Sequence, residues 1–285
     1  MAGNKTLAGK GKGRGTTLLI YIILLAFIIV MIIPIFWGLM TSFKGTGEIS
    51  RFPPTILPDT VVTTNYYKVL FLSNFTTYFK NSCIVTFLGV IISTIIAGHA
   101  AYAIARFHIK FREQLMYAIL MTSMVPAVAL LIPLYIISVK AGIYNTRFMI
   151  ILVYTAWRTP MLTWILKGFF DSVPQAIEEA AMIDGCSRLR TFYTIVLPMS
   201  QPGIVSSALL TAVYVWNDFL VSFTFVTKEG LKTVSVGLYS YITQYGVQWG
   251  ELLSAVMITI IPIIILFICL QRKFVDGMAA GAVKG

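Results

Sequence analysis

The chain has 285 residues, of which 58% are hydrophobic and only 12% charged, about half the charge of an ordinary soluble domain, which excludes a water-soluble globular protein and points to the bilayer. Its 22 Lys and Arg against 11 Asp and Glu give a net charge of +11; with no basic stretch interleaved with aromatics, that excess fits loop orientation and anionic lipid and excludes nucleic acid as a partner. The scattered Cys83, Cys186 and Cys269, with His99 and His108, show neither a disulfide framework nor metal-ligand spacing.

In chain order, six apolar runs are candidates to cross a hydrocarbon core of about 30 Å as helices: 17–38, 82–104, 115–136, 148–166, 203–222 and 252–271. The first follows Lys5, Lys10, Lys12 and Arg14, a start that also describes a signal peptide. Its length, and the bulky Pro34-Ile35-Phe36-Trp37 where small residues would mark cleavage, predict an uncleaved helix instead. Lys and Arg are more numerous in 1–16, 105–114, 167–202 and 272–285 than in 39–81, 137–147 and 223–251, so the orientation rule expects both termini in the cytoplasm. The division that follows is a cytoplasmic tail over 1–16, a membrane domain over 17–271 and a cytoplasmic tail over 272–285.

The outside segment 39–81 carries Pro53-Pro54 and Pro58, which favour extended chain. The outside segment 223–251 ends in Tyr245, Trp249 and Glu251, a composition that suits the membrane interface. A nucleotide-binding P-loop needs Gly-x4-Gly-Lys-Ser/Thr; Gly9-Lys10 and Gly11-Lys12 are each followed by glycine. Energy for any transport must therefore come from a partner or a gradient.

The inside segment 171–204 is too polar to span and too organised to be a linker. Pro174 suits a first helical position, Glu178 and Glu179 suit an early turn near the positive helix end, and Gly185 is placed for a left-handed cap. A second short helix is expected from Ser187 to about Val196, with Leu189, Phe192 and Ile195/Val196 on one apolar face. Pro198 and Pro202 are expected to break the chain before the fifth span. Such a hairpin fits either a groove on a soluble partner or the lipid surface.

Glu179-Ala180-Ala181-x-x-Asp184-Gly185, followed by Phe192, Ile195 and Leu197-Pro198, resembles the EAA loop of ABC importer permeases. The likeness covers most of the chain and is nearest to the second permease subunit of maltose-type carbohydrate importers. It runs through Asn81-Ser82, the 100–106 stretch ending in Arg106, Pro126, Pro133-Leu134-Tyr135, Gly142 with Asn145-Thr146, Trp216-Asn217-Asp218-Phe219, and the tail from Gln271 to Gly285. The resemblance implies an all-α, six-helix type I importer permease, half of a pore, in a bacterial cell membrane. It implies coupling to an ATPase through 171–198, with Glu179, Ala180, Ala181, Asp184, Gly185, Leu197 and Pro198 as coupling residues. The tail residues Gly281, Lys284 and Gly285 would reach the ATPase pair. The implied partners are a second, non-identical permease, two ATPase subunits and an external solute-binding protein. ATP and Mg would be held by the ATPase, and this chain would carry no cofactor and no catalytic residue.

Polar residues inside spans are costly and mark contacts worth naming. Arg158 in the fourth span either lines the pathway, pairs with Asp218, or meets the other permease subunit. Tyr214, Trp216, Asn217 and Asp218 near the outer end of the fifth span offer aromatic faces, amide and carboxylate groups, which is chemistry that suits sugars but equally suits helix packing. His99 reads as a hydrogen-bonded packing residue. The rival functions are a permease for another solute such as glycerol phosphate and, in a different class, an ion-gradient-driven transporter; the latter would call for inverted repeats and paired intramembrane carboxylates.

Overall fold

The computed structural model describes residues 14–282, with side chains described over 15–271. Residues 1–13 of the expected N-terminal tail, and Lys284 and Gly285, lie outside the described residues.

The helices that build the fold are α1 (Arg14–Ser42), α2 (Phe75–Arg106), α3 (Arg112–Met124), α4 (Ala127–Lys140), α5 (Arg147–Ser172), α6 (Gln175–Ile183), α7 (Arg188–Met199), α8 (Gln201–Asn217), α9 (Leu220–Phe225), α10 (Val234–Tyr239) and α11 (Trp249–Ala282). Helix is the form these apolar runs take because it satisfies each backbone N–H within the segment where lipid offers no partner. By length and hydropathy α1, α2, α5 and α11 can each cross a membrane, and the chain makes up to six crossings if two bent pairs count as one each.

The centre of the fold is α2 packed on α5. Lipid tails are as apolar as leucine, so close van der Waals contact rather than water exclusion holds this pair. The sequence supplies it with a stripe of small residues four apart on α2: Gly89, Ser93, Ala97, Ala101 and Ala105, all buried. Opposite them lie Tyr154, Leu162, Leu166 and Phe170 of α5. Ala97→Leu would push the helices apart, and a loss of about 1–3 kcal/mol is expected from overpacking. A lowered melting temperature of the purified protein in detergent would register it.

Two predicted spans are interrupted. The run 115–136 is two helices, α3 and α4, bent by 87°. Val125 and Pro126 between them are extended (ψ 125° and 121°). Pro126 has no N–H to donate, and its ring pushes the preceding residue out of the helical region. The run 203–222 ends as a helix at Asn217; Asp218 is extended and its carboxylate accepts the Val221 N–H (2.9 Å), capping α9.

Loops at one end of the helices are fastened by the motif residues. Asn81 donates to the Gly230 and Lys232 carbonyls (3.0 and 2.9 Å) and accepts from Arg147 Nε (3.0 Å), while Ser82 Oγ accepts the Val234 N–H (2.8 Å). Asn145, at φ +64°, accepts from the Thr227 and Lys228 N–H groups, and Thr146 caps α5 by accepting from Met149. Gly142 takes a left-handed φ of +69° in the same turn. Asn65 closes α1 by donating to the Ser42 and Lys44 carbonyls.

Candidate functional site

The 171–204 segment folds as the sequence predicts, as two helices joined by a tight turn. Glycine is needed at 185: its φ is +88°, its N–H bonds the Met182 carbonyl (3.1 Å), and the Cys186 N–H bonds the Ala181 carbonyl (2.9 Å). Ser187 then opens α7 by accepting the Arg190 N–H (3.3 Å).

Pro198 does not end α7, contrary to expectation. A π-helical turn over Phe192–Val196 widens the helix ahead of the proline ring, so α7 continues to Met199. The bend comes at Ser200, where α7 and α8 meet at 77°. The expected apolar face also divides: Phe192 and Val196 are buried against α2 and α5, whereas Leu189 is exposed.

The two neighbouring glutamates take opposite roles, because adjacent helical positions point about 100° apart. Glu178 is 4% exposed. Its Oε1 accepts from Arg106 Nε (2.6 Å) and its Oε2 from the Tyr102 hydroxyl (3.0 Å). The same guanidinium donates to the Phe170 and Val173 carbonyls (2.7 and 2.9 Å) at the end of α5. One arginine on α2 thus holds the start of α6 and the end of α5 together. Ala181 is also buried, while Glu179, Ala180, Ile183, Asp184 and Gly185 face outward. Ile183 is 87% exposed, a large apolar side chain at the tip of a polar hairpin. Leu197 is half-buried against the α2–α5 core and Pro198 is exposed.

A second tie holds α7. His99 Nδ1 lies 2.8 Å from the Ile95 carbonyl, which can only accept, so that nitrogen carries the proton and Nε2 accepts from the Tyr193 hydroxyl (2.8 Å). His99 is the packing residue the sequence suggests.

Deeper in the spans, the five polar candidates separate. Arg158 of α5 lies over the Tyr214 ring of α8, its guanidinium carbon 4.4 Å from the centroid, and both border a cavity of about 450 Å³. Arg158 forms no ion pair with Asp218; that carboxylate accepts instead from the Tyr154 hydroxyl (2.8 Å) and from Val221. Trp216 is 5% exposed and packs edge-on to Phe79 at 5.7 Å, so its face is closed to a ligand. Asn217 is exposed, with its amide bonded to the Val213 carbonyl. Gly281 falls in the last turn of α11. Glu178, Arg106 and Tyr102 were not singled out as a cluster by the sequence. The available signal was a Tyr and an Arg four apart at the C-terminal end of an apolar run.

The arrangement can transmit movement and can hold a small polar solute; among the described residues no group of His, Cys, Asp or Glu could hold a metal. Residues 89–279 match the family described as binding-protein-dependent transport system inner membrane component. The chain is 35% identical over 266 residues to a probable ABC transporter permease protein, YurM, of Bacillus subtilis, covering 93% of this chain and 88% of that protein. It is 35% identical over 260 residues to the trehalose/maltose transport system permease protein MalG of Thermococcus litoralis, covering 90% and 93%. A chain in the crystal structure of a bacterial ABC transporter involved in import of the acidic polysaccharide alginate shares the fold, with a TM-score of 0.80 over 92% of this chain and 97% of that one, at 22% identity. The chain belongs to the binding-protein-dependent transport system inner membrane component family: it is a multi-pass membrane permease subunit of an ABC importer, not its ATPase.

Proposed function

We propose that this chain forms half of the pore of a sugar importer and that its α6–α7 hairpin is the element driven by the ATPase. The outward face of the hairpin carries the reading: Glu179, Ala180, Ile183, Asp184 and Gly185 lie together on a tight projecting turn whose opposite face is fixed to α2 and α5. A knob that is rigid behind and exposed in front suits a cleft on a soluble subunit. Kinship with permeases such as the trehalose/maltose one supports a carbohydrate as the solute.

In this reading the chain crosses the membrane six times with both termini inside, beside a second, non-identical permease. Two ATPase subunits bind ATP and Mg, and an external binding protein delivers the sugar. ATP binding closes the ATPase pair and carries the hairpin with it. The pore switches to its outward-facing state, and hydrolysis resets it. This is a two-state element biased from a distance. Gly281, Lys284 and Gly285 are proposed to touch the ATPase pair, and Arg158, Tyr214 and Asn217 to border the pathway. Trp216 and Asp218 would act there through packing.

Gly185→Asp tests the hairpin. Aspartate tolerates a left-handed φ better than most residues, and a side chain at 185 meets nothing within 4 Å. The strain stays within the turn, where no neighbour is struck, and the new charge falls on the docking face. ATP-dependent uptake is expected to fall at least about tenfold, equivalent to a docking loss above about 1.4 kcal/mol, with the chain still present in the membrane. Unchanged uptake would remove the hairpin from the coupling path.

A further inference from the structure

Among the described residues, the one charged side chain lining the intramembrane cavity is Arg158. Its Nε is buried with no hydrogen-bond acceptor among the described residues, and none of the described carboxylates pairs with it. A cation at this depth is expensive unless something answers its charge. The Tyr214 ring answers it in part, through a cation–π contact that leaves the guanidinium edge free.

A second source of positive potential points at the same space. The break at Val125 and Pro126 ends α3 and starts α4, and Val125 and Ala127 both line the cavity. The first turn of α4, with the positive end of its dipole, therefore borders that space. Broken helices that aim a half-helix N-terminus at mid-membrane are how transporters hold anionic groups. The indole of Trp157 and the hydroxyl of Ser123, whose proton is used on the Leu120 carbonyl but whose lone pairs are free to accept, complete a wall suited to a ring bearing hydroxyls. At about 450 Å³ the space is that of a small-ligand site.

We propose that this cavity binds an anionic group of the transported solute, a carboxylate, sulfonate or phosphate carried on a sugar, with Arg158 as its principal ligand. The proposal rests on the importer reading above and adds the charge of the solute to it. Arginine is suited to the task because its fork matches two oxygens of any of these groups.

The test uses the complete transporter, purified with its ATPase and second permease. Binding is measured for methyl glucoside, methyl glucuronide, and the 6-sulfonate and 6-phosphate of methyl glucoside, four probes that share one ring and differ in charge. At least one acid is expected to bind more tightly than the neutral parent. Arg158→Gln is expected to remove that preference by about 10- to 100-fold, the range of a hydrogen bond to a charged group, and leave the complex assembled; Arg158→Lys is expected to restore part of it. Equal binding of all four probes by the intact complex would overturn the proposal. So would an Arg158→Gln complex that keeps its acid preference, or one that loses the second permease, since the cation would then serve a carboxylate of that subunit. Failure of the wild-type chain to assemble with an ATPase would instead sink the importer reading, a result visible before any probe is added.

Discussion

Arg106→Leu is expected to destabilise the hairpin end of the permease by about 3–5 kcal/mol, the range for breaking a buried ion pair from one side. The Arg106 and Glu178 side chains are 7% and 6% exposed, so water cannot replace the lost partner. Glu178 would keep only the Tyr102 hydroxyl, and the Phe170 and Val173 carbonyls would lose their donor. Three elements meet at this one side chain: α2, the end of α5 and the start of α6. Removing both charges as Arg106→Met with Glu178→Met is expected to harm less than either single change, because no buried charge is left over. A double-mutant cycle on detergent-solubilised protein, read by thermal unfolding, gives the coupling energy. Additive single effects would show that the pair does not act as a unit.

At the opposite end, Gly237→Ala has the next largest expected effect. A Cβ at 237 would lie 2.1 Å from Tyr78 Cδ2 and 2.9 Å from its Cγ. The clash reaches the base of the ring, which a turn about its own axis cannot relieve, and Tyr78 is only 5% exposed. The ring must leave its place, giving up the hydrogen bond from its hydroxyl to the Glu229 carboxylate. Overpacking of this kind loses about 1–3 kcal/mol. Pairing the change with Tyr78→Leu should restore the melting temperature in part. Glu229 itself is held below the ordinary carboxylate value, first by its hydrogen bond from Lys232 and then by Tyr78, against the opposing effect of burial. Its lowered value means that its contribution is present at neutral pH and fades only as the pH falls below the ordinary carboxylate range and through the lowered value. The part of the Gly237→Ala loss that runs through Glu229 should therefore be present at pH 7 and shrink in acid.

Much of this was legible because membrane helices announce themselves by composition, and because Gly185, Asn145 and Gly142 need left-handed backbone that few residues tolerate. The breaks were harder to see. Pro126 and Pro198 are the same residue type in similar apolar surroundings, yet the first interrupts a span and the second sits inside a helix. The difference lies in the wide turn at Phe192–Val196, which makes room for one ring and has no counterpart before the other. The chain's choice between Glu178 and Glu179 was likewise hidden, since the inward one is fixed by Arg106, a residue distant in sequence. Trp216-Asn217-Asp218 suggested a sugar site by residue type. Packing uses Trp216 against Phe79 and Asp218 on Tyr154, and leaves the open cavity to Arg158 and Tyr214. The small-residue stripe from Gly89 to Ala105 was present in the sequence at four-residue spacing, masked by the larger apolar residues between its members.

The central claim is that the exposed face of the α6–α7 hairpin docks an ATPase. The most direct measurement is a mild-detergent pull-down of the tagged chain from native membranes, with its stoichiometric partners identified, for the wild type and for Glu179→Ala combined with Gly185→Asp. The wild type should bring down an ATPase subunit and a second permease, and the variant should lose the ATPase while keeping the permease. A chain that purifies alone or as a homodimer from well-solubilised membranes, or a variant that retains the ATPase in full, would contradict it.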